Sequence, residues 1–336
     1  MFHQTLAKTI TLALLLGGMA IYTVFAGFYG RELIIEASAL IILAISLDLV
    51  AGYGGMISLC HGAIFGIGAY VFAVLTSMFG ISPLIALPAA MAAGGLFGLA
   101  VGAVTSRTTG IFFIMATLAF GQMVHVYVFE NRALGGDDGL SGVARIDLSL
   151  LGLNMNNSMQ FALFSIVLAG LAYVMAALLL RSGFGRTLVG IRSNETRMRA
   201  IGLPVRRYKA LAFGFSGVLA GLAGTIAAQQ TMFVSPLMMG WMMSGEALVM
   251  VILGGIGTLV GPAVGAVLVV FLEHELSGLT RYWHMIMGII LVLVVVMGNR
   301  GLYGQFEYML TRRKRPAPVP EQKAATRLDV AESRHA

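Results

Sequence analysis

Residues Arg181–Lys209 read RSGFGRTLVGIRSNETRMRAIGLPVRRYK, with eight Arg or Lys and one acidic residue, Glu195. Long apolar runs flank the segment on both sides. A loop this basic between two membrane spans is expected to face the cytoplasm, because Lys and Arg near span ends are retained on that side. Thr187–Ile201 has no Pro and only Gly190 as a breaker, so it is expected to be a short helix. Gly202 and Pro204 would end it. Leu188, Ile191, Glu195 and Met198 fall three or four residues apart, so such a helix presents them as one stripe. Two readings stay open: a solvated loop that only sets topology, or a rigid element that receives force from a soluble partner.

Composition places these runs in a membrane. The chain is 58% hydrophobic and 11% charged, whereas soluble domains average roughly 25% charged residues. The expected fold is therefore all-α: a polytopic membrane bundle of about ten spans, with eight as the lower bound. Its 43 glycines suit helices that approach closely in lipid. The net charge of +7 would point to nucleic acid in a soluble protein. Here topology accounts for it, so the expected surroundings are the lipid bilayer and no nucleic acid. Cys60 is the only cysteine, which excludes an internal disulfide and a cysteine-built zinc cluster.

In chain order, the expected spans begin with Ile10–Tyr29, retained rather than cleaved as a signal peptide, and Leu33–Ala51, which carries Glu36 and Asp48. The glycine-dense break Gly52–Gly62 precedes an apolar run to Met78. Span four covers Pro83–Thr105, with Gly94, Gly98 and Gly102 as a smooth packing face. Span five covers Ile111–Phe129, and the outer loop 130–158 leads to Met159–Leu180. After the basic loop come Ala210–Ala228, with Gly217, Gly221 and Gly224 as its small face, and Trp241–Gly257, with Glu246. A second break, Gly254–Pro262, precedes a short ninth span ending near Leu272. Tyr282–Met297 is the tenth. The membrane domain is 1–302, and the basic, Pro-rich tail 303–336 reads as disordered. In this topology both termini are cytoplasmic, and only Arg31, Arg132, Arg145 and Arg281 of the 22 Lys and Arg face outward.

Catalytic readings fail on spacing. No Walker A pattern occurs, so any ATP chemistry belongs to another subunit. His274-Glu275 opens a zinc-protease motif, but Gly278 stands where its second His is needed. Cys60-His61 lacks the further ligands that zinc requires. Glycine breaks at membrane depth are tolerated beside a cavity, and unwound backbone there offers N–H and C=O groups to a substrate. The candidates for a translocation path are accordingly Asp48, Gly54, Gly55, Ser58, His61, Glu246, Gly254, Gly255, Gly257 and Thr258, weighed against groups bonded inside the bundle for packing.

These motifs, in their order, resemble the LivM-type permeases of branched-chain amino-acid ABC transporters, from about Ala39 to Leu302. Gly52–Gly62 is similar to the family's G-Y-x-G-x-x-S-L-G-H stretch, with Cys60 in place of glycine. Gly135–Leu140 resembles its outer G-G-x-x-G-L loop. Glu246 with Gly254-Gly255-x-Gly257-Thr258 and Gly261-Pro262 resembles its E-x-x-x-x-x-x-L-G-G-x-G-[ST] and G-P pair. Asn299–Leu302 resembles its closing P-R-G-L.

Arg186, Leu188, Ile191, Arg192, Asn194, Glu195, Met198, Ala200 and Gly202 fall on the family's coupling loop, although Arg197 and Arg199 stand where small or acidic residues are usual. The resemblance implies a bacterial inner-membrane permease subunit with a second homologous permease, two cytoplasmic ATPase subunits and a periplasmic solute-binding protein. ATP-Mg would sit on the partner ATPases, with no cofactor in this chain. A urea or short-amide permease and an ion-coupled secondary transporter are the alternatives.

Overall fold

Apolar runs with no continuous polar face are stable only as buried or lipid-facing helices, and helices make up the fold. The structure, a computed structural model, describes residues 6–148 and 154–279 and a few positions between 281 and 292. The elements are α1 (Leu6–Phe25), α2 (Phe28–Asp48), α3 (His61–Ala73), α4 (Pro83–Thr105), α5 (Ile111–Glu130), α6 (Ser158–Arg181), α7 (Gly183–Ser193), α8 (Glu195–Ala200), α9 (Val205–Thr231), α10 (Trp241–Gly254) and α11 (Val260–Leu279). Helices α2 and α3 each run on into a π-helical turn, Leu49–Tyr53 and Val74–Met78. Two-residue strands β1 (Leu140–Ser141) and β2 (Phe233–Val234) pair antiparallel.

Among the described residues, 7 helices are long and apolar enough to cross a membrane. Two shorter apolar helices, Thr9–Phe25 and Trp241–Gly254, accompany them. The expected eighth span is thus corrected: α10 has 14 residues, about 21 Å at ~1.5 Å per residue, against a hydrocarbon core of about 30 Å. The expected short ninth span is instead a helix of 20 residues. A methyl on Gly254 would lie 1.8 Å from the Gly261 carbonyl oxygen, and one on Gly265 would lie 2.1 Å from that of Met250. α10 and α11 therefore form a tight antiparallel hairpin that needs glycine at its contacts. The expected tenth span lies almost wholly outside the described residues, and the tail 303–336 entirely so.

Burial decides which helices are central. The most apolar window of α2 is 89% buried, whereas those of α4 and α5 are 28% and 22% buried. α9 is the other inner helix, and the two expected glycine faces meet on it. Methyl groups on Gly94 and Gly98 would each lie 2.6 Å from α9 carbonyl oxygens, those of Gly217 and Phe213. Gly224 approaches α3 more closely still, since a methyl there would fall 1.9 Å from the Phe65 carbonyl oxygen.

The loop after α5 is tied to the end of α9. The Arg145 guanidinium donates to the Gln229 and Gln230 carbonyls at 3.0 and 3.2 Å and lies 4.9 Å over the Phe161 ring. The Ile146 N–H donates to the Gln229 side chain at 3.0 Å.

Overpacking a filled contact costs roughly 1–3 kcal/mol, so Gly224→Ala should lower the melting temperature of the detergent-solubilised protein clearly. Gly245, with nothing within 4 Å of an added methyl, is the control. Gly245→Ala should leave the melt unchanged or raise it, as alanine favours helix. Equal melting of both variants would contradict the packing described.

Candidate functional site

The first break is a hydrogen-bonded unit. Past the π-helical turn, Gly55 takes φ +68°, a conformation that costs most side chains energy, and the chain returns to start α3 at His61. His61 Nε2 lies 2.7 Å from Ser216 Oγ on α9, and that hydroxyl donates to the Ser46 carbonyl on α2 at 2.6 Å. Ser216 has spent its proton, so Nε2 is the donor, and in the neutral imidazole Nδ1 is then the acceptor. Nδ1 lies 3.1 Å from Ser58 Oγ, which then donates to it. Ser58 Oγ in turn accepts from the Cys60 N–H at 3.3 Å. The Ser58, His61 and Ser216 side chains are fully buried, and the chain of bonds fixes the break against α2 and α9.

Asp48 joins this break to the second one. Its carboxylate is fully buried and accepts from the Gly257 N–H at 2.6 Å and the Leu259 N–H at 3.0 Å. The second break orients those donors through positive φ at Gly255 (117°), Gly257 (80°) and Leu259 (60°). Such a φ is strained for leucine. Thr258 Oγ1 closes the turn, donating to the Gly255 carbonyl at 2.8 Å and accepting from the Gly261 N–H at 2.9 Å. Gly52 leaves room for the link, because a methyl there would fall 2.0 Å from an Asp48 carboxylate oxygen and 2.7 Å from the Gly257 nitrogen.

The basic loop is two helices, correcting the single helix expected over Thr187–Ile201. Asn194 breaks it with extended backbone (φ −161°, ψ 98°) and caps α8 by accepting from the Arg197 N–H at 2.9 Å. Asn followed by Glu is a helix-start signal, so the boundary was present in the sequence. Gly202, at φ +85°, ends α8 as expected. The expected stripe divides as well. Leu188 and Ile191 are buried, whereas Glu195 and Met198 are half-buried on the next helix. Arg186, Arg192, Asn194, Ala200 and Gly202 are exposed. Glu195 pairs with Arg199 one turn on and, at 2.8 Å, with Lys209 of α9, whose side chain is 5% exposed.

Two cavities lie toward opposite ends of α2. One, of about 260 Å³, is lined by Gly54–Ile57 of the first break, the α4–α5 turn Thr108–Gly110, Ile191–Glu195 and Lys209. At its wall a methyl on Gly55 would lie 2.9 Å from Arg192 Cγ, and one on Gly54 would lie 3.5 Å from a Leu188 methyl. The α7–α8 element thus packs directly on the first break. The other cavity, also about 260 Å³, is lined by Glu36, Glu246 and Glu273 with Leu40, Phe65, Met238 and Met243 among its apolar residues.

Of the path candidates, Gly54, Gly55 and Glu246 line these cavities. Asp48, Ser58, His61 and Thr258 are buried in bonds between elements, and Gly254, Gly255 and Gly257 shape the second break. Glu246 does not join Asp48 at the breaks but lies with Glu36 and Glu273. Glu36 is legible in the sequence as an acid on the second span, but nothing local links it or Glu273 to Glu246. Lys209, Ser216 and Gly52 have no individual role in the sequence reading; only their tertiary partners reveal one.

Residues 31–295 match the family described as the permease component of branched-chain amino acid transport systems. The chain belongs to this family. As a permease component of an ABC transporter it is a multi-pass membrane protein and not itself an enzyme. The permease is 29% identical over 284 residues to the high-affinity branched-chain amino acid transport system permease protein LivM of Escherichia coli (strain K12), covering 78% of this chain and 67% of that one. It is 26% identical over 286 residues to the ribose import permease protein RbsC of the same strain, covering 78% and 82%. A shorter match, 34% over 132 residues, covers 37% of the permease and 38% of the autoinducer 2 import system permease protein LsrC of Klebsiella pneumoniae. No solved structure matches the chain.

Hydrogen bonds to a charged group contribute about 1.5–3 kcal/mol each. Asp48→Ala should therefore destabilise the permease by several kcal/mol, read as a large fall in melting temperature. Asp48→Asn, which keeps one acceptor oxygen, should fall between alanine and wild type. An Asp48→Ala protein that melts with wild type would remove the carboxylate from this role.

Proposed function

We propose that the permease forms the membrane path of an ATP-driven importer for leucine, isoleucine and valine. In this reading it sits in the bacterial inner membrane with both termini in the cytoplasm. A second homologous permease and two cytoplasmic ATPase subunits, which carry ATP-Mg, complete the complex. A periplasmic solute-binding protein delivers substrate.

The observation that carries the substrate class is the cavity holding Glu246. Its carboxylates suit an ammonium group, and its Leu, Phe and Met wall suits an aliphatic side chain. The similarity to LivM supports the same class. Ribose, the substrate in RbsC's name, has neither an ammonium group to pair with the carboxylates nor an aliphatic side chain for the apolar wall.

Coupling follows from the other cavity. ATPase closure would push α7 and α8, and the push would reach the first break where Leu188 meets Gly54 and Arg192 meets Gly55. Leu188 and Ile191 then anchor the element, and its exposed residues meet the ATPase. The Glu195–Lys209 bridge makes α8 move with α9.

The test is uptake by the full complex in proteoliposomes. Leucine should accumulate with ATP, and excess ribose should not compete. Glu246→Gln should lower leucine uptake about tenfold, the scale of one charge-assisted contact. Competition by ribose as strong as by unlabelled leucine would replace the amino-acid reading with a sugar one.

For coupling, Glu195→Arg leaves Lys209 as an unpaired buried cation, a change costing roughly 3–5 kcal/mol. It should uncouple ATP hydrolysis from uptake, and the exchanged pair Glu195→Lys/Lys209→Glu should recover part of the coupling. Unchanged uptake and ATPase activity in Glu195→Arg would exclude α8 as a coupling contact.

A further inference from the structure

Where α8 turns into α9, Arg199, Leu203, Pro204, Val205, Arg206 and Arg207 line an open cavity of about 400 Å³. Arg206 and Arg207 are exposed and form no ion pair or side-chain hydrogen bond among the described residues. The acidic residue of this segment, Glu195, is already shared between Arg199 and Lys209. The corner therefore keeps an excess of positive charge with arginine forks free to bond.

Its position relative to lipid follows from helix register. Arg207, Leu211 and Phe215 are spaced four apart and share one face of α9, and Leu211 and Phe215 are 44% and 46% exposed. On α6, Leu171, Val174 and Leu178 are exposed, and exposed Arg181 follows them on the same side. In a membrane-spanning helix such an apolar face meets acyl chains. An arginine one turn beyond its end then lies at headgroup level.

We propose that this corner binds the phosphate of an anionic phospholipid. Arg206 and Arg207 hold the phosphate oxygens, for which planar guanidinium forks are well matched, and Leu203 and Pro204 lie against the glycerol. An acidic groove on a cytoplasmic subunit is the competing occupant. The lipid-facing register of Arg207 favours the headgroup.

The full-length permease in mild detergent would be titrated with phosphatidylglycerol and, separately, phosphatidylcholine, with bound lipid counted by native mass spectrometry. Wild type should retain phosphatidylglycerol preferentially, and inorganic phosphate at equal concentration should not displace it. Arg206→Gln/Arg207→Gln should weaken phosphatidylglycerol binding about thirtyfold, in keeping with the loss of two surface charges, and leave phosphatidylcholine unchanged. Arg206→Lys/Arg207→Lys should retain part of the binding. Arg197→Gln, outside the cavity, should match wild type. Wild-type retention by the Gln pair would overturn the proposal, as would displacement by free phosphate. So would unchanged lipid binding in the Gln pair with loss of co-purifying cytoplasmic subunits, which would assign the corner to protein docking.

Discussion

A carboxylate buried among helices is tolerated only where donors surround it, and Asp48 meets that constraint with backbone from another part of the chain. The second break has the complementary need, since ending α10 and turning into α11 frees N–H groups that require acceptors. Charge and break are therefore one device. Gly52 is part of it because any side chain there would occupy the place of the carboxylate. Thr258 completes the turn, and Leu259 holds its positive φ because Asp48 fixes its N–H.

Around that link, two different forces hold the bundle. Away from the breaks it is close approach of glycine-faced helices, mainly α3 and α4 on α9. Dispersion across such contacts is individually small and collectively large, and in lipid it replaces the hydrophobic drive available to soluble cores. At the breaks it is directed hydrogen bonding. The series from Ser58 through His61 and Ser216 to Ser46 joins three elements with each proton accounted for. A fully paired network of this kind selects one geometry, whereas a partly paired one would cost more than an apolar replacement.

How much of this the residues announce depends on the range of the interaction. Spans and glycine faces were legible because hydrophobic length and small-residue spacing are local: Gly94, Gly98 and Gly102 pack on α9 as their spacing implied. The break within the basic loop was legible too, in Asn194-Glu195, but the apolar stripe from Leu188 to Met198 spoke for continuity. The end of α10 is not legible locally because hydropathy runs on past Gly254 while the backbone turns. Asp48 and Glu246 looked alike in sequence, each an acid upstream of glycines. Only packing separates them, Asp48 facing backbone N–H groups and Glu246 a cavity with other carboxylates.

The same distinction sorts the positive charges of Arg181–Lys209. Topology requires only that they lie on one side of the membrane, and any arrangement along the loop would meet that demand. The structure is more selective. Lys209 is buried and held by Glu195, and Arg199 shares the same carboxylate. Arg192 lies against Gly55 through its aliphatic stem, a contact that packing supplies and charge does not. Arg206 and Arg207 are left with their guanidinium groups outward, beside the apolar face of α9. A loop that served topology alone would not need a buried lysine or a stem-to-glycine contact. The lysine binds α8 to α9, the stem-to-glycine contact ties the basic segment to the first break, and Asp48 carries the connection on to the second.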